Sequence, residues 1–308
     1  MRPADRVEAD RLLACLDRFE NERYPLPGIK SPATRDVLVE QIIDSERRNR
    51  YIQRLRQMEL SPAGADPASD AFDPLKAAIL NDRGGNFEEA CWMVFLYVHF
   101  GKHLRAEWRY AREVYGKLGQ GGRWDWVSVV ADTGEFRRWL DDNRAELQRP
   151  GVPRGFGNHR KYESLAGSTR SGTGEVVSTY VQWVVAAGSH ADLFGAVEEL
   201  EPTAGFDALY RSMARVSRFG RVARFDYLSL VSKLELANIV PAHTYLVGAT
   251  GPLYGAQLLL GRSKGLSSRE CQDGIEELEE YLKVGPDVLE DSLCNWQKSS
   301  ATFRHFRG

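Results

Sequence analysis

Apolar residues recur at helical spacing along most of this chain, and this periodicity limits the fold more than any other feature of the sequence. Near the start, Val7, Leu12, Leu16 and Phe19 are separated by three, four or five residues. Such spacing places apolar side chains on one face of a helix. No segment keeps up the period-two alternation of a half-buried strand. The segment VVSTYVQWVVAAG fits a strand or a helix, and its helical neighbours favour a helix. We therefore expect a mostly α-helical protein.

Two stretches rich in loop-forming residues divide the helical pattern. LSPAGADPASD is rich in Pro, Ala, Ser and Asp, and a longer irregular segment begins at QRPGVPRGFGNH. Such composition is typical of linkers and loops. We expect an N-terminal helical segment over residues 1–60, a first helical lobe over 61–150, and a second lobe over 151–308.

Composition and charge exclude several classes of protein. The formal net charge is −2 over 308 residues, which excludes a globally basic nucleic-acid binder. The local run SERRNRYIQRLRQ is basic, and it fits either contact with a polyanion or a solvated helix face. No apolar run approaches the ~20 residues of a membrane span, and the N-terminus lacks the apolar centre of a signal peptide. We expect a cytoplasmic monomer that does not bind membranes.

Metal and cofactor sites are not expected. The four cysteines are far apart and form no CxxC pair, so neither zinc nor a disulfide framework is indicated. His99 and His103 have the i, i+4 spacing of a metal pair, but Gly101 lies between them and no third ligand is near in sequence. No P-loop or dinucleotide loop is present, because the glycines Gly248, Gly251 and Gly255 have the wrong spacing.

The segment YLVGATGPLYGAQLLL predicts a helix–hairpin–helix. A short helix from Pro241 or Thr244 to Gly248 would be followed by a turn, and Pro252 suits the first turn of a second helix. Exposed turn amides and a helix N-terminus bind a DNA phosphate without reading bases. An ordinary αα-hairpin explains the same pattern. The residues that we assign to DNA binding are Gly248, Thr250, Gly251, Tyr254 and Lys298.

An acidic helix follows the hairpin in the segment KVGPDVLEDSLCNWQKS. Gly285 and Pro286 begin it, and its buried side is marked by Val288, Leu289, Leu293 and Trp296. Asp287, Glu290 and Asp291 then share another side, where like charges repel. The helix N-terminus offsets part of that repulsion. A cationic transition state would offset the remainder.

A helix–hairpin–helix followed by a Gly/Pro loop and an Asp resembles the DNA glycosylase superfamily. That resemblance implies an aspartate that stabilises an oxocarbenium-like sugar as the N-glycosidic bond breaks, and that activates water. It favours Asp287 as the catalytic residue and leaves Asp291 and Glu290 as alternatives. Leu253 stands where lyase-competent members carry a nucleophilic Lys, which implies a monofunctional enzyme. The hairpin spacing and the distance to the Asp both depart from the usual pattern.

The loop PRGFGNHRKYESL combines hydrogen-bonding groups, aromatic rings and close-approach glycines. This combination suits a flipped-base pocket or a phosphate grip better than a solvated surface loop. The candidate substrate-binding residues are Asn158, His159, Arg160, Lys161, Tyr162 and Glu163. We expect the first two and Glu163 to contact substrate hydroxyls, and Arg160 and Lys161 to hold flanking phosphates.

Five stretches resemble a known family more closely: VFLYVHFGKH, GFGNHRKYESL, RFGRVARFDYL, GATGPLYGAQLL and VLEDSLCNWQKS. They are similar to the alpha-glutamyl/putrescinyl-thymine pyrophosphorylase clade 3 family over roughly residues 30–308. The resemblance implies a glycosylase-like fold and a role in hypermodified pyrimidines of phage DNA. The family's relatives include bacterial antiviral glycosylases that excise glucosylated hydroxymethylcytosine.

Three functions follow from these features. The first is a monofunctional DNA N-glycosylase, a hydrolase that flips and excises a hypermodified pyrimidine from phage DNA in antiviral defence. Alpha-glucosyl-hydroxymethylcytosine is the best candidate base, and the partner is double-stranded DNA that carries modified pyrimidines. The second is a transferase that displaces pyrophosphate from a modified thymine, and the third is a non-catalytic reader of modified DNA. We favour the first because the hairpin and acidic helix belong to base excision.

Overall fold

The computed structural model describes residues 3–261 and 265–305, and within them the chain is α-helical, as the sequence predicts. These residues form fifteen α-helices and no β-strand, with only two isolated bridges. The helices up to the long irregular segment are α1 (Pro3–Glu22), α2 (Pro32–Gln57), α3 (Pro74–Arg83), α4 (Phe87–Phe100), α5 (Arg109–Tyr115), α6 (Trp126–Ala131), α7 (Thr133–Asp142) and α8 (Arg144–Leu147). Those after it are α9 (Thr173–Val185), α10 (His190–Gly195), α11 (Pro202–Ser212), α12 (Arg221–Lys233), α13 (Gly251–Leu259), α14 (Ser268–Leu282) and α15 (Pro286–Trp296). None of the described helices combines the length and apolar composition of a membrane span.

The described chain forms two compact units. Unit 1 contains residues 3–52, 241–261 and 265–305, and unit 2 contains residues 53–240. The N-terminal helices therefore pack with the C-terminal part of the chain, a grouping that crosses the predicted boundaries near 60 and 150. Local periodicity identifies helices, but it does not say which distant helices pack together.

Unit 1 has a core built by α1, α2, α13, α14 and α15. Leu12, Leu16 and Phe19 are buried on α1, whereas Val7 is largely exposed. On α2, the side chains that face this core are buried at Val37, Leu38 and Ile42. Phe19 also makes edge-to-face contact with Tyr281 of α14, with ring centroids 5.2 Å apart. The first and last helices of the described chain thus share one core.

The first helix of the predicted hairpin is not formed. Residues 241–250 make bends and a turn, so the expected helix from Pro241 or Thr244 to Gly248 is a wrong prediction. Tyr245 has φ 50° and Gly248 has φ 78°, and both values interrupt a right-handed helix. The structure therefore does not confirm a helix–hairpin–helix at this position. Two helices joined by a short connection are found further along the chain, where three residues separate α14 from α15.

Glycines bring α13 against α15. A Cβ built on Gly255 would lie 2.4 Å from the backbone oxygen of Leu293, and one on Gly251 would lie 2.8 Å from Sγ of Cys294. Only a residue without a side chain fits such distances. Gly251 and Gly255 therefore allow the close packing of α13 on α15.

Replacing Gly255 with alanine should destabilise unit 1. The new methyl group would overlap a backbone atom that cannot rotate away, so we expect a loss of about 1–3 kcal/mol in the free energy of unfolding. Chemical denaturation measures it. Gly195→Ala is the matched control, because a Cβ there meets nothing within 4 Å. Equal stability of the two variants would contradict the close packing of α13 on α15.

Unit 2 is organised around α4, which is apolar on nearly every side. Phe95 of α4 stacks on Tyr180 of α9 with a centroid distance of 3.9 Å. His99 is fully buried on the same helix and stacks on Phe95. Its Nε2 lies 3.0 Å from Oγ1 of Thr173. Burial lowers the pKa of His99 to about 3, with smaller contributions from Arg160 and Arg218, so the ring is neutral at neutral pH.

We expect the neutral ring of His99 to make the protein acid-sensitive. The pKa of His99 is lowered on folding, so the unfolded chain takes up a proton first as pH falls below about 6.5. The resulting loss in the free energy of unfolding reaches about 2 kcal/mol near pH 5. His99→Gln cannot titrate and should lose less stability than the parent between neutral pH and pH 5. The partly exposed His103 gives the control His103→Gln, which should follow the parent in denaturant titrations.

Candidate functional site

The three acidic residues predicted to be catalytic lie on the first two turns of α15 in unit 1. Gly285 precedes the helix with φ 98°, and Pro286 occupies its first turn. The predicted buried side of the helix is buried. Glu290 is also buried, whereas Asp287 and Asp291 are partly exposed. Solvent and a ligand therefore reach the two aspartates more readily than the glutamate.

Asp287 is held in place by α2. Nδ2 of Asn49 donates a hydrogen bond of 2.8 Å to Oδ2 of Asp287. The carboxylate also stands in the first turn of α15, where the partial positive charge of the helix end stabilises an anion. An aspartate in this setting is oriented by the hydrogen bond from Asn49, and a positioned carboxylate is what stabilisation of a developing cation needs.

Asp291 has a different environment, because a cation already neutralises it. Arg48 of α2 forms an ion pair with Asp291 and a second one with Asp44 at 2.5 Å. Asn295 also donates to Oδ1 of Asp291 at 2.9 Å. The ion pair with Arg48 thus offsets part of the repulsion between Asp291 and the other acidic residues of α15. A cationic transition state is not required to explain Asp291.

The pairing of α2 with α15 was not anticipated from the sequence. Arg48 and Asn49 belong to the basic run for which we considered contact with a polyanion. In the structure Arg47 pairs with Asp5 and Arg48 with Asp291, so part of this charge is used internally. Asp44 and Arg48 at i, i+4 are the local signal of such pairing. The partner on α15 is more than 200 residues away and leaves no local pattern.

The predicted DNA-binding residues also lie in unit 1. Gly248, Thr250 and Tyr254 are exposed around the start of α13. Gly251 begins that helix and faces α15. Lys298 follows α15, and its Nζ donates to Oδ1 of Asn295 at 3.0 Å. The first four are brought together in one surface segment, and their role in DNA binding stays a prediction.

The predicted substrate loop lies in unit 2, where it is anchored on the end of α4. The amide of Gly157 donates to the carbonyl of Phe100 at 2.8 Å. A Cβ on Gly157 would lie 2.7 Å from the carbonyl carbon of Gly101, so the close approach needs glycine. Phe156 stacks on Phe100 with centroids 5.6 Å apart. These contacts fix the backbone from which the polar side chains project.

The six candidate residues of this loop differ in their exposure to solvent. Those exposed are Asn158, His159, Lys161 and Tyr162, of which Tyr162 is 80% exposed. Glu163 is engaged by Arg218 through hydrogen bonds of 2.8 and 3.3 Å. Arg160 is buried and donates from Nε to the carbonyl of Val98 at 3.0 Å. The structure therefore separates Arg160 from Lys161, which we had grouped as phosphate ligands.

Arg218 connects the loop to the start of α12. Besides its ion pair with Glu163, it donates from Nη2 to the carbonyl of Tyr162 at 3.3 Å. The ion pair raises the pKa of the Arg218 guanidinium. Lys161 places its Nζ 5.1 Å from the ring centroid of Tyr162. An exposed aromatic ring is thus displayed beside cations on a fixed backbone.

These features define a helical protein that presents oriented carboxylates in one unit and a cation-rich aromatic loop in the other. The sequence model of one family, alpha-glutamyl/putrescinyl thymine pyrophosphorylase clade 3, matches residues 33–308. The chain belongs to this family. The predicted resemblance is therefore confirmed. No curated protein and no solved structure matches the chain.

Proposed function

We propose that this protein is a monofunctional DNA glycosylase that excises a hypermodified pyrimidine from phage DNA and leaves an abasic site. The single observation that carries the proposal is Asp287, a partly exposed carboxylate at the N-terminus of α15 that Asn49 orients. The name of the family connects its members with modified thymine. A glycosylase that acts on a bulky pyrimidine unites these two facts.

The proposed reaction requires little from the protein beyond a positioned charge. The bond between the sugar C1′ and the pyrimidine nitrogen breaks, and its electron pair leaves with the base. The carboxylate of Asp287 stabilises the oxocarbenium-like sugar that results. Water then attacks C1′, and the carboxylate accepts a proton from it. A base that is buried in a duplex reaches such a site only after flipping.

Among the hypermodified pyrimidines, we propose alpha-glucosyl-hydroxymethylcytosine as the substrate. Its sugar presents several hydroxyl groups, and exposed Asn158 and His159 offer hydrogen-bonding partners for them. The exposed ring of Tyr162 offers a stacking face. Lys161 is the exposed cation of the loop that suits a flanking phosphate. The biological role that fits this activity is defence against phages with modified genomes.

A second function is favoured by the family name itself. A pyrophosphorylase acts on a pyrophosphate group, so the alternative is a transferase that displaces pyrophosphate from a modified thymine and leaves the sugar intact. The two reactions differ in whether the glycosidic bond breaks. This difference is directly observable.

The test is the formation of abasic sites. Duplex DNA with glucosylated hydroxymethylcytosine is incubated with the protein, and abasic sites are detected with an aldehyde-reactive probe. We expect sites at the modified positions only. A parallel duplex with plain cytosine is the control for contaminating glycosylases. An absence of abasic sites on every modified duplex tested would exclude the proposed activity.

A further inference from the structure

A groove of about 350 Å³ opens on the surface of unit 2, between the start of α4, the helix α10 and the segment that follows α12. Pockets of this volume hold small ligands. The apolar part of the lining includes Phe87, Phe194, Val197 and Leu236. The last three are mostly buried in the protein, and Phe87 is half-buried. The groove is therefore a place where an apolar group of a ligand can leave water.

Hydrogen bonds and a ring contact hold α10 against α4. The carboxylate of Glu88 on α4 accepts from the backbone amides of His190 and Ala191, at 3.1 Å each. It also lies 2.7 Å from Nδ1 of His190, a side chain that is fully buried. The rings of Phe87 and Phe194 meet edge to face with centroids 6.3 Å apart. Because α10 is fixed in this way, two walls of the groove are formed before any ligand arrives, and binding does not have to order them.

The third wall is the turn that ends α12. The amide of Glu235 donates to the carbonyl of Ser232 at 2.9 Å, and the amide of Leu236 donates to the carbonyl of Val231 at 3.0 Å. Glu235 has φ 58°, the left-handed conformation that closes many helices. These two bonds fix the backbone that carries Glu235 and Leu236 into the lining.

The polar part of the lining is acidic. Glu198 and Glu235 line the groove together with the neutral amide of Asn238. Within the described part of the chain, the lining contains no lysine, arginine or histidine. Glu235 accepts from Nη2 of Arg56 at 2.6 Å, so its charge is partly neutralised. Glu198 is exposed and makes no ion pair with any described residue. The charge that remains available to a ligand is thus that of Glu198.

The sequence on either side of Glu198 extends this negative charge. Residues 184–210 include five aspartates and glutamates and no lysine or arginine. The histidine of this interval, His190, is buried, and burial lowers its pKa, so it adds no positive charge at neutral pH. A surface that is acidic over such a length attracts cations and repels anions. The groove therefore complements a ligand that combines an apolar body with a positive charge.

We propose that this groove binds a small organic amine, with its apolar body on Phe87 and Phe194 and its ammonium group beside Glu198. The aromatic rings suit such a ligand in two ways, because they remove its carbon atoms from water and their faces attract its positive charge. Glu198 adds an attraction that a neutral molecule of the same size does not have. The groove contains none of the residues assigned to base excision, so this inference goes beyond the proposed function.

Three small molecules of similar shape test the charge of the ligand. Phenethylamine, 2-phenylethanol and phenylacetate each carry a phenyl ring on a short chain, and their end groups are cationic, neutral and anionic near neutral pH. Ligand-observed NMR titrations with the full-length protein at low salt measure the affinity of each. We expect the amine to bind about two- to fivefold more tightly than the alcohol and phenylacetate to bind most weakly. Added salt should reduce these differences, because it screens exposed charges.

Two substitutions test the role of Glu198. Glu198→Gln should lower the affinity for phenethylamine about two- to fivefold and leave the affinity for 2-phenylethanol unchanged, because only the charge is removed. Glu199→Gln is the matched control, since Glu199 is also exposed but does not line the groove. This control should bind all three molecules as the parent does.

Gly195→Leu tests the location of the site. Gly195 lines the groove, and a Cβ built there meets nothing within 4 Å. A leucine side chain should therefore occupy the groove without displacing its neighbours, and binding of all three molecules should be lost. Circular dichroism and chemical denaturation show whether the variant is folded. The glutamate pair tests the proposal even if Gly195→Leu does not fold.

Four results would overturn the proposal. They are an absence of saturable phenethylamine binding, equal affinity for the three molecules, equal amine affinity in Glu198→Gln and Glu199→Gln, and parental binding in a folded Gly195→Leu. These measurements contain no DNA. Each result therefore stands whether or not the protein excises a base.

Discussion

Asp287→Asn should lower the rate of base excision about 10²–10³-fold while leaving DNA affinity intact. Asparagine has the same shape but no charge, so both the stabilisation of the cationic transition state and the acceptor for the proton of the attacking water are lost. The hydrogen bond of 2.8 Å from Asn49 fixes the position that the charge must occupy. Single-turnover excision and duplex binding are measured side by side. A variant that excises at the parental rate would remove Asp287 from the mechanism.

Asp291→Asn and Glu290→Gln are the controls for this assignment. Asp291 is already paired with Arg48, and Glu290 is buried, so neither is as well placed to meet the sugar. We expect both to affect stability more than the excision rate measured on folded protein. A rate loss in Asp291→Asn as large as that in Asp287→Asn would transfer the catalytic role to Asp291 or divide it between them.

The second large effect concerns the choice of base. A site built to bind hydroxyl groups leaves its polar groups unpaired when the substrate lacks them, so a duplex with plain cytosine should be processed at least ~10³-fold more slowly. Asn158→Ala should lower excision of the glucosylated base by about 10–100-fold and change general DNA affinity little. The two duplexes differ only in the substituent, so the comparison isolates its recognition. Equal rates on both duplexes would exclude a pocket role for the loop.

Lys161→Ala provides the reciprocal control. This side chain is exposed beside Tyr162, so we expect its loss to weaken binding to modified and plain duplexes alike and to reduce the salt dependence. The sequence predicts the same behaviour for Arg160. Its burial and its bond to the carbonyl of Val98 give it a different role. Arg160→Ala is therefore unsuitable as a phosphate-contact control.

Local features of the fold were predictable from the sequence, because they depend on neighbouring residues. The buried side of α15 follows from helical spacing, and Gly285 and Pro286 mark its start. The segment before α13 was assigned wrongly, because the propensities of residues 241–248 do not reveal the positive φ values of Tyr245 and Gly248. Helix propensity is a weak prior that tertiary packing overrides.

Features that depend on distant residues could not be read from the sequence. Two side chains that contact the α15 aspartates, those of Arg48 and Asn49, precede them by more than 200 residues. The burial of Arg160 beside the exposed Lys161 is a difference of the same kind, because it depends on contacts with residues far away in the sequence. Charge and hydrogen-bonding capacity are visible in a sequence, but burial and long-range pairing are not.

The central claim is that the glycosidic bond of a modified pyrimidine breaks. Its most direct test is mass spectrometry of the small molecules released from phage DNA with glucosylated hydroxymethylcytosine or with pyrophosphorylated thymine. We predict release of the free glucosylated base from parental protein and about 10²–10³-fold less from Asp287→Asn. Release of pyrophosphate from the thymine substrate, with every base retained on its sugar, would contradict the account.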